Sequence, residues 1–119
     1  MEILAKVLVG LVAALHVYIL VMEMFLWQKK PGMSFHGFDP EMARATAAMA
    51  ANQGLYNGFL GAGLVWGLLL GPLGHAVILF FLGCVIVAGV FGAATAARKI
   101  LFIQAVPAAV AMALVLLAG

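Results

Sequence analysis

The sequence predicts an all-α fold, a membrane-spanning antiparallel four-helix bundle, and three observations lead to that prediction. Of the 119 residues, 67% are hydrophobic and 8% are charged, whereas an ordinary soluble domain has about 25% charged residues. Four segments are long and apolar enough to cross a hydrocarbon core of about 30 Å, which requires about 20 helical residues. The last two connections between these segments are very short, and short connections make neighbouring helices antiparallel.

The composition also excludes other classes of protein. Six basic and four acidic side chains cannot cover the surface of a small domain in water. The formal net charge of +2 is too small, and the basic residues are too scattered, for nucleic-acid binding. A single cysteine, Cys84, excludes a disulfide framework. Because the chain also lacks side chains at metal-ligand spacing and a cofactor fingerprint, we expect no metal and no cofactor.

The first predicted span covers residues 3–27 of a single domain that extends over residues 1–119. Its apolar run is too long for the hydrophobic region of a signal peptide, and its end lacks a small-residue cleavage pattern. We therefore expect a retained helix. After it, Pro31 and Gly32 are expected to break the helix, and residues 34–38 are expected to form a polar and aromatic loop.

The second predicted span covers residues 52–70, within a longer helix that begins near residue 40. Asp39 can accept hydrogen bonds from the first free amides, Pro40 suits the first helical position, and Glu41 complements the positive helix end. A helix of this length extends roughly 46 Å, which is more than a bilayer core requires. Its first turns are therefore expected in the head-group region or beyond it.

The third and fourth predicted spans cover residues 74–97 and 100–118. Pro107 lies inside the fourth span, where it removes a backbone donor and crowds the carbonyl of Ile103. We expect either a kink at this point or a carbonyl that is free to join a polar site.

Basic residues predict the orientation in the membrane, because Lys and Arg near the ends of spans are retained in the cytoplasm. Five of them lie on the side of the first and third connections: Lys29, Lys30, Arg44, Arg98 and Lys99. Only Lys6 lies on the side of the termini. We therefore predict that both termini lie on the non-cytoplasmic side.

Polar residues inside the predicted spans form the candidate site, because lipid offers them no hydrogen-bond partners. His16 and Glu23 are seven residues apart in the first span, so they share one helix face and lie about 10 Å apart along the axis. The second and fourth spans contribute five more candidates: Asn52, Gln53, Tyr56, Asn57 and Gln104. In an up-down bundle these side chains fall in the cytoplasmic half, with His16 near the midplane. We therefore predict one ligand-binding or proton site, centred on Glu23.

A structural role is the alternative for the amide side chains. Asn and Gln commonly join membrane helices through hydrogen bonds worth about 1 kcal/mol. An ionisable group within a span is more costly, so Glu23 and His16 indicate either a function or a specific buried partner.

Small residues recur at four-residue spacing in the second and third spans. They form three rows: Gly54, Gly58 and Ala62; Gly63, Gly67 and Gly71; Ala88, Gly92 and Ala96. Such rows let helix backbones approach closely. Two glycine faces on one helix suit two neighbours, one within the chain and one from a second copy, so a homo-oligomer is also an expectation.

Two stretches of the chain resemble a known family. The first runs from His16 to Tyr18 and continues with residues 23–27, and the second is Asn-Gln-Gly-Leu-Tyr-Asn-Gly at residues 52–58. They closely resemble small bacterial integral membrane proteins grouped as domain of unknown function 1304. The resemblance extends across the whole chain. It implies four spans in a bacterial inner membrane and gives the polar cluster more weight, and it supplies no established reaction.

Three classes of function are open at this point. The bundle can bind a membrane lipid or a small amphipathic molecule, with Glu23 as the polar anchor and amide side chains as partners. It can transport or transfer protons, with His16 extending the path from Glu23. It can also be a membrane enzyme with Glu23 as acid or base, which requires a reacting atom within hydrogen-bond reach of that carboxyl. Binding demands the least of these residues.

Overall fold

The first apolar segment forms one continuous helix, α1 (Glu2–Met24). It belongs to a computed structural model that describes residues 1–119 and contains helices and turns but no strand. The helix ends three residues before the predicted end at residue 27, and Ala5, Val9 and Val12 are buried along it. Their spacing of four and three residues is that of one helix face.

The connection after α1 contains a short helix, α2 (Lys30–His36), where the sequence predicted a loop. The prediction was wrong because Pro31 lies at the start of this helix, where its missing N–H removes no hydrogen bond. Gly32 is buried against the backbone of Leu26, a position that has no room for a side chain. The helix ends at Gly37, whose φ of 74° is left-handed and whose N–H donates to the carbonyl of Met33 at 2.9 Å.

The long helix α3 (Pro40–Leu69) begins at the predicted position. The N–H of Met42 donates to Oδ1 of Asp39 at 2.8 Å, which confirms the predicted cap. The 30 residues extend about 45 Å. A 3-10 turn (Gly71–Gly74) follows, and Gly71 enters it with a left-handed φ of 62°.

The last third of the chain forms α4 (His75–Thr95), a π-helical turn (Leu101–Ala105) and α5 (Val106–Ala118). Pro107 lies two residues after the π turn, and the N–H of Val106 donates to the carbonyl of Leu101, five residues earlier. The wider turn is the response of the helix to Pro107, which cannot donate to the turn before it.

The chain forms two compact units, which we describe separately. The first comprises Met1–Ala14 and Leu60–Gly119, and the second comprises Leu15–Phe59. The core of the first unit is built from fully buried side chains: Val9, Leu64, Leu82, Val85, Ala108 and Ala111.

Glycines allow close helix packing within each unit. In the first unit, a Cβ on Gly89 of α4 would lie 2.7 Å from the backbone nitrogen of Ala105, and one on Gly67 would lie 2.6 Å from Cγ1 of Ile78. In the second unit, a Cβ on Gly54 would lie 2.9 Å from Cβ of Glu23. The contacts of Gly54 and Gly67 confirm the packing role of their rows at those two positions, whereas Gly89 lies outside the predicted rows.

The rows do not pack along their whole length. Ala62 and Ala96 are exposed, and Gly71 belongs to the 3-10 turn rather than to a helix. Four-residue spacing identifies one face of a helix, but it does not identify where a neighbouring helix ends.

Three helical segments are long and apolar enough to cross a membrane: Glu2–Met24, Gly71–Thr95 and Leu101–Ala118. Helix α3 is not among them. Asn52, Gln53 and Asn57 lower the hydropathy of the part that was predicted to be the second span. The second predicted span, residues 52–70, therefore stays a prediction.

Candidate functional site

The second unit contains a hydrogen bond between two buried polar side chains, Glu23 and Asn57. Nδ2 of Asn57 donates to Oε1 of Glu23 at 2.7 Å, and each residue is only 7% exposed. Glu23 lies in the last turn of α1, and Asn57 lies in the middle of α3. The structure therefore contains a contact of the predicted kind between Glu23 and an amide side chain of another helix, and that side chain is Asn57.

The sequence around Asn57 explains why the two helices come so close there. Gly54 lies one turn before Asn57, and its missing side chain leaves space for Cβ of Glu23 and Cγ of Met24. Ala50, Gly54 and Asn57 are all buried, and their spacing of four and three residues places them on one face of α3. Close backbone approach at Gly54 thus brings a short amide side chain within reach of the carboxylate.

The bond from Asn57 leaves further hydrogen-bond acceptor positions on the carboxylate of Glu23. An ionised carboxylate has two oxygens with about four acceptor positions, and the bond from Asn57 uses one of them. A buried carboxylate is costly unless it is hydrogen-bonded or paired with a charge. The pair can therefore accept a further donor, such as an ammonium or hydroxyl group, or it can hold a proton.

His16 is the other predicted ionisable residue of the second unit, and it is fully buried, with an exposure of 0%. It precedes Glu23 by seven residues on α1, and Ile19 and Met22 are buried between them. These four residues form one continuous buried face of the helix, in agreement with the predicted spacing.

Three of the predicted site residues on α3 point to its exposed side: Asn52, Gln53 and Tyr56. Tyr56 is 55% exposed, and its ring packs against Phe59 with centroids 6.2 Å apart. The structure thus brings Asn57 to Glu23 and leaves its neighbours in sequence on the flank of the helix. A role for these three residues in binding stays a prediction.

Gln104 belongs to the first unit, where it is 8% exposed within the π-helical turn. It is buried together with Ala105, directly before the segment that contains Pro107. Its membership in the site around Glu23 stays a prediction.

The second unit also contains a polar and aromatic cluster around His36, which the sequence analysis did not predict. Trp27 donates from Nε1 to Oγ1 of Thr46 at 2.9 Å. The ring of His36 packs against those of Trp27 and Phe38, with centroids 4.2 and 4.9 Å apart. The signal that could have identified it is the run of aromatic and turn residues between α1 and α3.

The hydrogen bonds of His36 define its tautomer. Its Nδ1 accepts the backbone N–H of Phe38 at 2.9 Å, so Nδ1 carries no proton. Its Nε2 therefore carries the proton and donates to the carbonyl of Trp27 at 2.7 Å. One imidazole thus holds both ends of the connection between α1 and α3.

Comparison with known proteins identifies a family. The family model DUF1304, described as a protein of unknown function, matches residues 10–116. Searches of curated proteins and of solved structures found no match. The matched range includes Glu23, Asn57 and the cluster around His36, and it covers most of the chain. The chain therefore belongs to the DUF1304 family, as its two sequence stretches predicted.

Proposed function

We propose that this chain is a multi-pass integral membrane protein that binds a lipid-like or small amphipathic molecule at a polar site formed by Glu23 and Asn57. The observation that carries the proposal is the 2.7 Å hydrogen bond between these two side chains, both of which are buried. In this proposal the chain crosses a bacterial inner membrane four times as an antiparallel bundle, with both termini on the non-cytoplasmic side.

The membrane part of the proposal is supported by the length and composition of the helices. Three segments are long and apolar enough to cross a bilayer, and α3 extends about 45 Å, which exceeds a core of about 30 Å. Many large apolar side chains are exposed, including Leu69 at 81% and Leu117 at 72%. In water such surface would be costly, whereas acyl chains would cover it.

Binding is supported by the chemistry of the buried pair. A carboxylate in an apolar setting gains from each additional donor, so the polar group of a ligand would stabilise Glu23 as well as be held by it. Asn57 orients one oxygen of that carboxylate. A molecule with one hydrogen-bond donor and an apolar body matches this combination, because apolar pockets with a few placed polar groups are the usual form of small-molecule sites.

Native mass spectrometry of the full chain, extracted gently from its membrane, tests the proposal. We expect a bound small molecule on the unchanged protein and its loss from Glu23→Gln, which keeps the shape of the side chain and removes its charge. Glu41→Gln is the matched control, because Glu41 is exposed at the start of α3. The proposal is wrong if Glu23→Gln, still folded, carries the same molecule at the same occupancy.

Proton transfer is a second candidate, and the burial of His16 favours it. A histidine with no exposed surface on the same helix face as Glu23 supplies a second titratable group along α1. In liposomes that contain a pH-sensitive dye, proton flux should then fall to the empty-liposome rate in both His16→Gln and Glu23→Gln. Flux that is unchanged by either substitution would exclude this function.

A further inference from the structure

The first unit contains a cavity of about 360 Å³, and Glu23 is not among the residues that line it. Charged and titratable side chains line one part of it, and apolar side chains line another: Glu2, Lys6 and His75, and Val9, Ile78 and Val115. Its volume lies within the range of about 300–1,000 Å³ that is typical of small-molecule sites. The cavity thus combines a polar part with an apolar wall.

The cavity lies where four helices end. Its lining comes from the first turns of α1, from Leu68 at the end of α3, from the 3-10 turn and the start of α4, and from the end of α5. Three of these helix ends, those of α1, α4 and α5, belong to the segments that are long and apolar enough to cross a membrane. If those segments cross, as proposed above, the polar part of the cavity lies at the level of the lipid head groups.

The charged side chains beside the cavity can leave each other and pair with the charges of a ligand. Nζ of Lys6 and Oε1 of Glu2 are 3.4 Å apart, and their side chains are 59% and 75% exposed. Such an exposed pair contributes little to stability, so its separation costs little. His75 begins α4, where the first backbone N–H groups of the helix favour a negative group.

We propose that this cavity binds one phospholipid whose head group carries both a phosphate and a primary ammonium group. The phosphate lies against Lys6 and His75, and the ammonium lies against Glu2. The start of one acyl chain covers the apolar wall formed by Val9, Ile78 and Val115, and the remainder of the lipid stays in the bilayer. The opposite charges of the two parts of the head group match the opposite charges of Glu2 and Lys6.

Titration of the detergent-purified full chain with defined lipids, followed by native mass spectrometry, tests the head group. We expect dioleoyl phosphatidylethanolamine to bind about tenfold more tightly than dioleoyl phosphatidylcholine, whose quaternary ammonium donates no hydrogen bond to Glu2, or dioleoyl phosphatidylglycerol, which has no cation. Glycerophosphoethanolamine has the head group without acyl chains. It should bind about tenfold more weakly than dioleoyl phosphatidylethanolamine, because it leaves the apolar wall uncovered. Equal affinity for the three lipids would overturn the proposal.

Two variants with matched controls test the location. Ala118→Phe introduces a large side chain at an exposed residue of the cavity lining, whereas Ala113→Phe makes the same change at an exposed residue of α5 outside it. We expect the affinity for phosphatidylethanolamine to fall about tenfold in Ala118→Phe and to stay unchanged in Ala113→Phe. Lys6→Gln should show the same loss, and Lys29→Gln, also at an exposed lysine, should not.

Lys6→Gln keeps the test decisive if Ala118→Phe fails to fold, because Lys6 is exposed and outside the core. Unchanged affinity in Lys6→Gln would overturn the proposal. Lys6→Gln tests the cavity and Glu23→Gln tests the site of the proposed function, and Glu23 does not line the cavity. The two proposals can therefore fail independently, and only a chain that does not enter membranes would remove both.

Discussion

Asn57 is the residue that determines how Glu23 is held in the second unit. Both side chains are buried, so the bond between them has little competition from water, and an unpaired carboxylate at this position would be costly. Asn52 has the same side chain on the same helix but is exposed. The difference between the two asparagines comes from the face of α3 on which each one lies.

This contrast predicts different effects of one substitution at two positions. Asn57→Ala removes the donor and leaves Oε1 of Glu23 without it, so we expect a loss of about 1–3 kcal/mol in the free energy of unfolding. Asn52→Ala should change that free energy by less than about 0.5 kcal/mol. Unfolding in detergent, followed by circular dichroism, measures both. Equal midpoints for the two variants would show that the buried bond contributes nothing to stability.

The side chain of His36 makes two hydrogen bonds to the backbone of the connection between α1 and α3. It donates to Trp27 and accepts from Phe38, so it joins the end of α1 to the start of α3. Each of these bonds depends on the fold of the connection. No spacing rule for ligands or helices would have paired His36 with either partner.

Among the helices, the local sequence signals predicted the start of α3 correctly and the role of Pro31 in the first connection incorrectly. Asp39 caps α3 as predicted, because a cap depends only on residues within one turn. Pro31 was expected to break a helix, and it lies in the first turn of one instead. The same residue is tolerated in the first turn and excluded from the interior, so its effect depends on where the helix starts.

Helix packing predicts that replacing glycine with alanine changes the stability in opposite directions at Gly54 and Gly10. Gly54 packs against α1, where a Cβ would lie 2.8 Å from Cγ of Met24 and 3.3 Å from the carbonyl oxygen of Leu20. Gly54→Ala should therefore destabilise the protein by about 1–3 kcal/mol, through the overpacking of this contact. Gly10 lies inside α1 with no atom within 4 Å of its Cβ position.

Gly10→Ala should accordingly stabilise the protein, by about 0.5–1 kcal/mol, because alanine loses less backbone entropy in a helix. The midpoints of thermal unfolding of the two variants in the same detergent test both signs. A rise in both variants would mean that α1 and α3 are not in close contact at Gly54.

For the whole molecule, the distribution of basic residues predicts the orientation. Because five basic residues lie beside the first and third connections and one lies beside the termini, we expect residue 119 on the non-cytoplasmic side. An alkaline phosphatase fused after Gly119 should be active, and a green fluorescent protein fused there should be dark. The reverse pattern would show that the termini lie in the cytoplasm.

Much of this protein follows from sequence alone. Its apolar composition and long hydrophobic runs predict the helices, the cap at Asp39 predicts the start of α3, and two short stretches predict the family. These features depend on neighbours along the chain or on composition, and both can be read without a fold.

Tertiary structure decided which polar residues meet. Asn57 and Gln53 are four residues apart on one helix, yet Asn57 is buried on Glu23 and Gln53 is exposed. The close approach at Gly54 selects between them, and that approach depends on residues of another helix that sequence spacing does not locate. The cavity beside Glu2 and Lys6 was likewise absent from the sequence analysis, because the ends of four different helices enclose it.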